Sequence, residues 1–252
     1  MIKKNIKKII LVLLGAVIYI LFILYMRPYY KVQDRISKRK EFRYINNEKA
    51  TGWLRVQGTN IDMAILNYLD MPDVSDPTYN IGWTHNKTSK NDDRILIYSH
   101  NVKNVSSKPL IADKSHARFE QLMSFIHYDF AKNNEYIEYT TGNKNLLYKI
   151  YSVHLIETDN IDSTEGKMAK LYKLEYIKSA INESYYKYNT DVNKNDKLIT
   201  LATCTRFYGN SEKHYSFVVE GRRLRKGELV NKYKVRKKKK YDKIVNIMKG
   251  ER

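Results

Sequence analysis

KLITLATCTR, residues Lys197–Arg206, decides the fold and holds the only cysteine of the 252-residue chain. Leu198, Thr200 and Ala202 alternate with Ile199, Leu201 and Thr203, a period of two that predicts a strand buried on at least one face. Cys204 stands where that strand gives way to a polar loop. A side chain there is held by rigid backbone yet can face a cleft, as a nucleophile requires. A lone cysteine in an apolar run also reads as a small buried hydrophobe, so its meaning depends on the rest of the chain.

Outward from this strand, the pattern stays rich in short strands. Tyr215–Arg222, YSFVVEGR, follows it. Gly52–Leu66 reads as two strands around a Gly58-Thr59-Asn60 turn, and Tyr136–Thr141 with Leu146–Ile156 as a hairpin about Gly142-Asn143. Asp93–His100, DRILIYSH, is a further apolar strand that ends on a histidine. Asp70–Asn91 reads as loop with short strands, and Asn101–Ser115 as polar loop. Phe119–Phe130 has helical spacing. Thr164–Tyr188 predicts the main helix, with Met168, Leu171, Leu174, Ile177, Ile181 and Tyr185 as its apolar stripe. No internal repeat is visible. Many short strands with one or two inserted helices predict a mostly-β (α+β) barrel or sandwich.

The termini differ from this body. Ile9–Met26, IILVLLGAVIYILFILYM, carries no charge, and as a helix it rises about 27 Å against a hydrocarbon core of about 30 Å. No small-residue cleavage site follows, so it reads as an uncleaved signal anchor. Basic residues crowd both flanks; the short tail is the easier part to leave in the cytoplasm, giving a single-pass cell-membrane protein with an extracellular body. The expected divisions are a cytoplasmic tail 1–8, an anchor 9–26, a helical stalk 27–50, a folded domain 51–226 and a basic C-terminal tail 227–252. That tail holds Arg236 and Lys237 to Lys240 and reads first as a solvated segment.

The net charge of +19 implies an anionic neighbourhood: nucleic acid, membrane phosphate or cell-wall polymer. The basic residues are not interleaved with an aromatic stacking motif, so nucleic acid is not expected. No Cys/His cluster has zinc spacing and no glycine-rich phosphate loop is present, so neither metal nor cofactor is expected. Outside the cell, cysteines are usually paired or absent, which makes one free thiol notable. A thiol reacts as thiolate, and an imidazole is the usual way to supply that form. Of the six histidines, His100 alone ends an apolar strand as Cys204 does. Two such strand ends at one rim of a sheet would form a dyad; on spacing alone that is weak evidence, since a lone histidine is more often structural.

Thr200-Leu201-Ala202-Thr203-Cys204 resembles the TLxTC motif of sortases, the membrane-anchored transpeptidases of Gram-positive bacteria. Gly52-Trp53 with Gly58-Thr59-Asn60-Ile61-Asp62 resembles the family's GW(I/L)xxxGTxIDxP strand pair, with Met63-Ala64 where a proline is common. Ile97-Tyr98-Ser99-His100-Asn101 is similar to its YGHN segment, with Ser99 for the frequent glycine. The resemblance covers roughly residues 50 to 226. The helix at Thr164–Tyr188 and the helical segment before Thr51 look most like class B sortases. It implies a closed β-barrel with an N-terminal helical extension and a helix inserted before the cysteine strand.

The resemblance also implies a mechanism. Cys204 attacks the carbonyl of a Thr in the C-terminal sorting signal of a secreted protein, giving a thioester. His100 is the general acid toward the leaving amine and then the base toward an incoming one. The acceptor is an amine of a peptidoglycan precursor or a Lys of a pilin. One departure stands out. An Arg expected at the start of the last strand, for the oxyanion or the bound signal, is replaced by Ser216. Arg222 lies roughly 20 Å further along that strand. Arg206 is then the nearest candidate in sequence. Two other readings remain: a hydrolytic cysteine peptidase on the same dyad, and a non-catalytic basic module that tethers wall polymer to the membrane.

Overall fold

The computed structural model describes residues 8, 11–24, 50–70, 82–101, 118–142, 144–205, 214–230 and 234–248. The chain divides into two units, Met1–Glu48 and Lys49–Arg252. In the first, residues 11–24 form a helix (α1) whose large apolar side chains, Leu11 to Leu24, are 47% to 74% exposed. Residues 9, 10, 25 and 26 of the expected anchor, and the expected stalk up to 49, lie outside the described residues. Among the described residues no helix is long and apolar enough to cross a membrane.

The second unit begins with the hairpin that the Gly-Thr-Asn turn predicts. Strand β1 (Ala50–Val56) pairs antiparallel with β2 (Asp62–Asn67). The turn needs Gly58, whose φ is +78° and whose missing Cβ would sit 2.2 Å from the Asn134 side chain. After β3 (Gly82–Thr84) and β4 (Arg94–Ser99), the hairpin β5 (Tyr136–Thr141) and β6 (Lys144–Glu157) forms as its alternation predicts. The two-residue β7 (Tyr186–Lys187) precedes β8 (Leu198–Thr205) and β9 (Tyr215–Arg223). Eight strands close in the order β1-β2-β3-β4-β8-β9-β6-β5. The barrel expected from the pattern is therefore the architecture, and the sandwich is not. Closure removes sheet edges that would otherwise invite pairing.

Alternation sorts the central strands into two faces. Ile95, Ile97, Ile199, Leu201, Phe217 and Val219 belong to the main core, with Leu54, Ile137 and Ile150. The 3-10 segment Arg118–Ile126 and helix α2 (Tyr128–Ala131) stand where helical spacing runs over Phe119–Phe130. They bury Phe119, Leu122, Phe125 and Ile126 in the same core. Leu96, Ala202 and Val218 form a second cluster on the other face of the sheet, packed against Tyr98, Ile156 and Ile161.

Two expectations need correction. The main helix α3 spans Lys170–Glu183, shorter than Thr164–Tyr188. Ahead of it, Gly166 (φ +78°) exchanges backbone hydrogen bonds with Arg94, so that stretch is tied to the sheet instead. The helix docks by Ile177 and Ala180 on Tyr151 and Leu198, and buries Lys173, not Leu171. Leu171 is 69% exposed. The second correction concerns the tail. Residues Arg236–Lys237 form β10, paired with β7, and Lys239–Met248 form helix α4. Val235, Tyr241 and Ile244 are buried in the main core. Three apolar residues spaced through the lysines hold the segment down, where net charge alone suggests a solvated tail.

Candidate active site

Strands β4 and β8 run parallel, in register from Arg94↔Leu198 to Ser99↔Thr203. One residue further along each chain come His100 and Cys204. The two residues that sequence reasoning singles out therefore lie side by side where neighbouring strands run out at one rim of the barrel, His100 just past β4 and Cys204 one residue short of the end of β8. Two hydrogen bonds tie these ends together. The Thr203 hydroxyl donates to the Ser99 carbonyl at 2.8 Å, and Asn101 Nδ2 donates to the Cys204 carbonyl at 2.8 Å. Asn101 is thus a positioning residue that the spacing argument did not single out. By alternation His100, Tyr98, Ala202 and Cys204 share the face away from the barrel core.

Cys204 is exposed and unpaired, and burial of its sulfur pushes the thiol up, outweighing an opposing hydrogen bond from its own backbone. Thiolate is therefore scarce at neutral pH until a base acts on it. The His100 ring packs on Trp83 at 5.0 Å between centroids, and its buried Nε2 has no hydrogen-bond partner among the described residues. A buried imidazole nitrogen left open is costly in a resting protein unless it serves a partner that arrives later. His154, another strand histidine, is a different case. It is 4% exposed, hydrogen-bonded to Ser152, and held by burial at about 4, so it stays neutral.

Across β9, Ser216 stands directly opposite Cys204. It is buried, and its hydroxyl shares a 3.1 Å hydrogen bond with Thr158. The position where an Arg is expected is therefore filled by a small, satisfied side chain. Arg222 pairs with Leu198 at the opposite end of β8 from Cys204 and is bound to Glu228. Arg94 is also remote, buried beside Thr200, with its guanidinium 4.2 Å above the Tyr176 ring. Arg206 lies outside the described residues. Among the described residues no group of acidic, His and Cys side chains is arranged to hold a metal ion.

A Sortase domain model matches residues 54–224, which takes in both strand ends and the whole barrel but for the first four residues of β1. The chain belongs to the sortase family. As a sortase it is a cysteine transpeptidase, and the relatives it matches are of class B. Sortase B of Listeria monocytogenes is 26% identical over 202 residues, covering 74% of this chain and 72% of that protein. A mutant form of Clostridium perfringens sortase B has a TM-score of 0.60 at 22% identity, over 79% of this sortase and 91% of that chain. A Staphylococcus aureus sortase B–substrate complex gives 0.57 at 14% identity, over 78% and 94%.

Proposed function

We propose that this sortase cleaves a C-terminal sorting signal after Thr and joins the acyl group to an amine of a cell-wall precursor or a pilin Lys. Cys204 is the nucleophile and carries the thioester. His100 protonates the leaving amine and then accepts a proton from the incoming one. The observation that carries this reading is the parallel register of β4 and β8, which sets His100, the residue after β4, beside Cys204 near the end of β8, with the imidazole Nε2 left open. Asn101 keeps the Cys204 backbone in place while the sulfur changes partners. With Ser216 opposite Cys204, the positive charge at the oxyanion comes from Arg206 or from the bound signal's surroundings. The apolar segment 9–26 anchors the enzyme at the outer face of the cell membrane, a role suited to substrates met during export; its exposed apolar side chains favour that reading.

The test uses the full chain in detergent, wild type beside Cys204→Ala and His100→Ala, with a pool of sorting-signal peptides and a primary amine. Mass spectrometry is expected to find a thioester adduct and an amine-exchanged product in the wild type alone. Consumption of peptide at one rate with and without amine, and no exchanged product, identifies a hydrolase instead.

A further inference from the structure

The C-terminal segment carries charge in an arrangement that the fold does not balance. Residues 234–248 hold seven Lys and Arg against one acid, Asp242. Three placements there are unfavourable by local physics. Arg236 stands directly opposite Lys187 in the β10–β7 ladder, where like charges repel. Lys239 and Lys243 are exposed four residues apart on α4, again a like-charged pair. Lys239 and Lys240 also occupy the first turn of α4, where the helix dipole favours anions.

The ribbon and the helix lie side by side. Lys237 ends β10 with its ammonium 4.8 Å from the ring centre of Tyr128 and 4.9 Å from that of Tyr241. Lys238 is pushed down by burial and by the charges of Lys240 and Lys187, with Glu183 opposing. Two carboxylates on this surface are already engaged, Asp129 by Lys132 and Glu183 by Lys240. Among the described residues, Lys187, Arg236, Lys239 and Lys243 make no ion pair. Nor can the segment relax by swinging free, because Val235, Tyr241 and Ile244 are buried in the main core. Local repulsion fixed in place by packing is a cost to the free protein, and such conflicts mark functional surfaces, here one that an outside anion relieves.

We propose that the surface formed by β7, β10 and α4 docks the barrel on anionic phospholipid headgroups of the membrane that holds residues 9–26. The inference rests on the anchoring reading above and is independent of the chemistry at Cys204. Charge complementarity calls for an array of anions, and the tether selects their source. Residues 27–49 extend at most about 80 Å, so the barrel always stays near one lipid surface, at high effective concentration. A nucleic acid fits less well. The Tyr128 and Tyr241 rings already carry Lys132 and Lys237 over them, where a stacked base would need an open ring face.

The experiment reconstitutes the full chain into vesicles of phosphatidylcholine alone and of phosphatidylcholine with about one third phosphatidylglycerol. A membrane-impermeant reagent acetylates exposed lysines briefly, and mass spectrometry reads each site relative to Lys194 and Lys226, exposed lysines outside this surface. One basic residue near an anionic surface strengthens attachment about five-fold, so acetylation of Lys187, Lys237, Lys239 and Lys243 is expected to slow at least about five-fold in the anionic vesicles. Salt at about 1 M, where the screening length falls to about 3 Å, restores it. The triple variant Lys187→Gln, Lys239→Gln, Lys243→Gln is expected to lose the protection of Lys237. Equal acetylation of the surface in the two vesicles, or protection of Lys237 that survives in the triple variant, overturns the docking. Protection by soluble poly(glycerol phosphate) equal to that by anionic vesicles at the same phosphate concentration overturns the lipid assignment in favour of a wall polymer. A chain that does not float with phosphatidylcholine vesicles overturns the anchoring reading and the docking with it; one that floats but shows no lipid-dependent protection overturns the docking alone.

Discussion

Asp93, just ahead of β4, is the anion that holds α3 against the barrel, and its replacement tests how that helix is docked. Its Oδ1 receives Lys197 Nζ at 2.9 Å and Lys173 Nζ at 3.2 Å, while Oδ2 accepts the Met168 amide at 3.1 Å. Burial would raise this carboxyl, but those hydrogen bonds outweigh it and hold it at about 2, against an ordinary 3.8. By linkage a depression of that size corresponds to about 2.5 kcal/mol, which partial solvent contact reduces to about 1–2 kcal/mol. Asp93→Asn also strands Lys173, whose side chain is only 3% exposed, and removing one partner of a buried pair costs about 3–5 kcal/mol. The two figures describe one interaction, so the expected loss at pH 7 is about 2–4 kcal/mol. Because the folded-state value is depressed, the wild type's advantage is present above pH about 4 and disappears as pH falls toward about 2. Urea unfolding followed by far-UV circular dichroism, at several pH values, measures both. Lys173→Met added to Asp93→Asn is expected to recover at least about 1 kcal/mol, since it removes the stranded charge. A loss below about 0.5 kcal/mol, or a gap between wild type and variant that persists at pH 2, refutes the reasoning.

The Cys204 thiol, pushed up by burial, should react with iodoacetamide at a rate that climbs through the alkaline range; a plateau already reached at neutral pH would show a thiolate stabilised in the free enzyme. Ser216→Arg places a guanidinium opposite Cys204 and is expected to speed acyl-enzyme formation, read by rapid-quench mass spectrometry; a rate no faster than wild type means the positive charge is supplied from another position. Tyr241→Ala, which empties a buried place between Tyr128 and Tyr186, should cost about 2–4 kcal/mol in urea unfolding, whereas a solvated tail would give no change.

Much of the barrel was legible because its signals are local. Alternation marks β4, β8 and β9, and a glycine forced to positive φ marks the first turn, so each follows from a few consecutive residues. The motif around Cys204 and the strand ending on His100 were legible for the same reason. The helix stripe misled where a charged residue replaced an apolar one in the interface: Lys173 goes in because Asp93 waits for it, and Leu171 goes out. Periodicity cannot weigh an ion pair whose partner lies 80 residues away. The C-terminal segment misled in the opposite direction, since Val235, Tyr241 and Ile244 are outnumbered by lysines and are apolar anchors only beside the core that receives them.

The packing of Trp83 on His100 shows the division most plainly. Trp83 and His85, like Tyr98 and His100, are two residues apart, so each pair shares a face of its strand, and that much is written in the chain. Which strand lies beside which is not. The sequence by itself determined the strands, the turn glycines and the places of the lone cysteine and of a histidine at a strand end, because backbone sterics and side-chain periodicity act over a few residues. Only the tertiary structure decided that β4 lies parallel to β8 in the register that brings His100 beside Cys204, that Ser216 stands opposite Cys204, and that Trp83 packs on the His100 ring. Those outcomes depend on closing one barrel around one core, where each pairing is chosen by all the others at once.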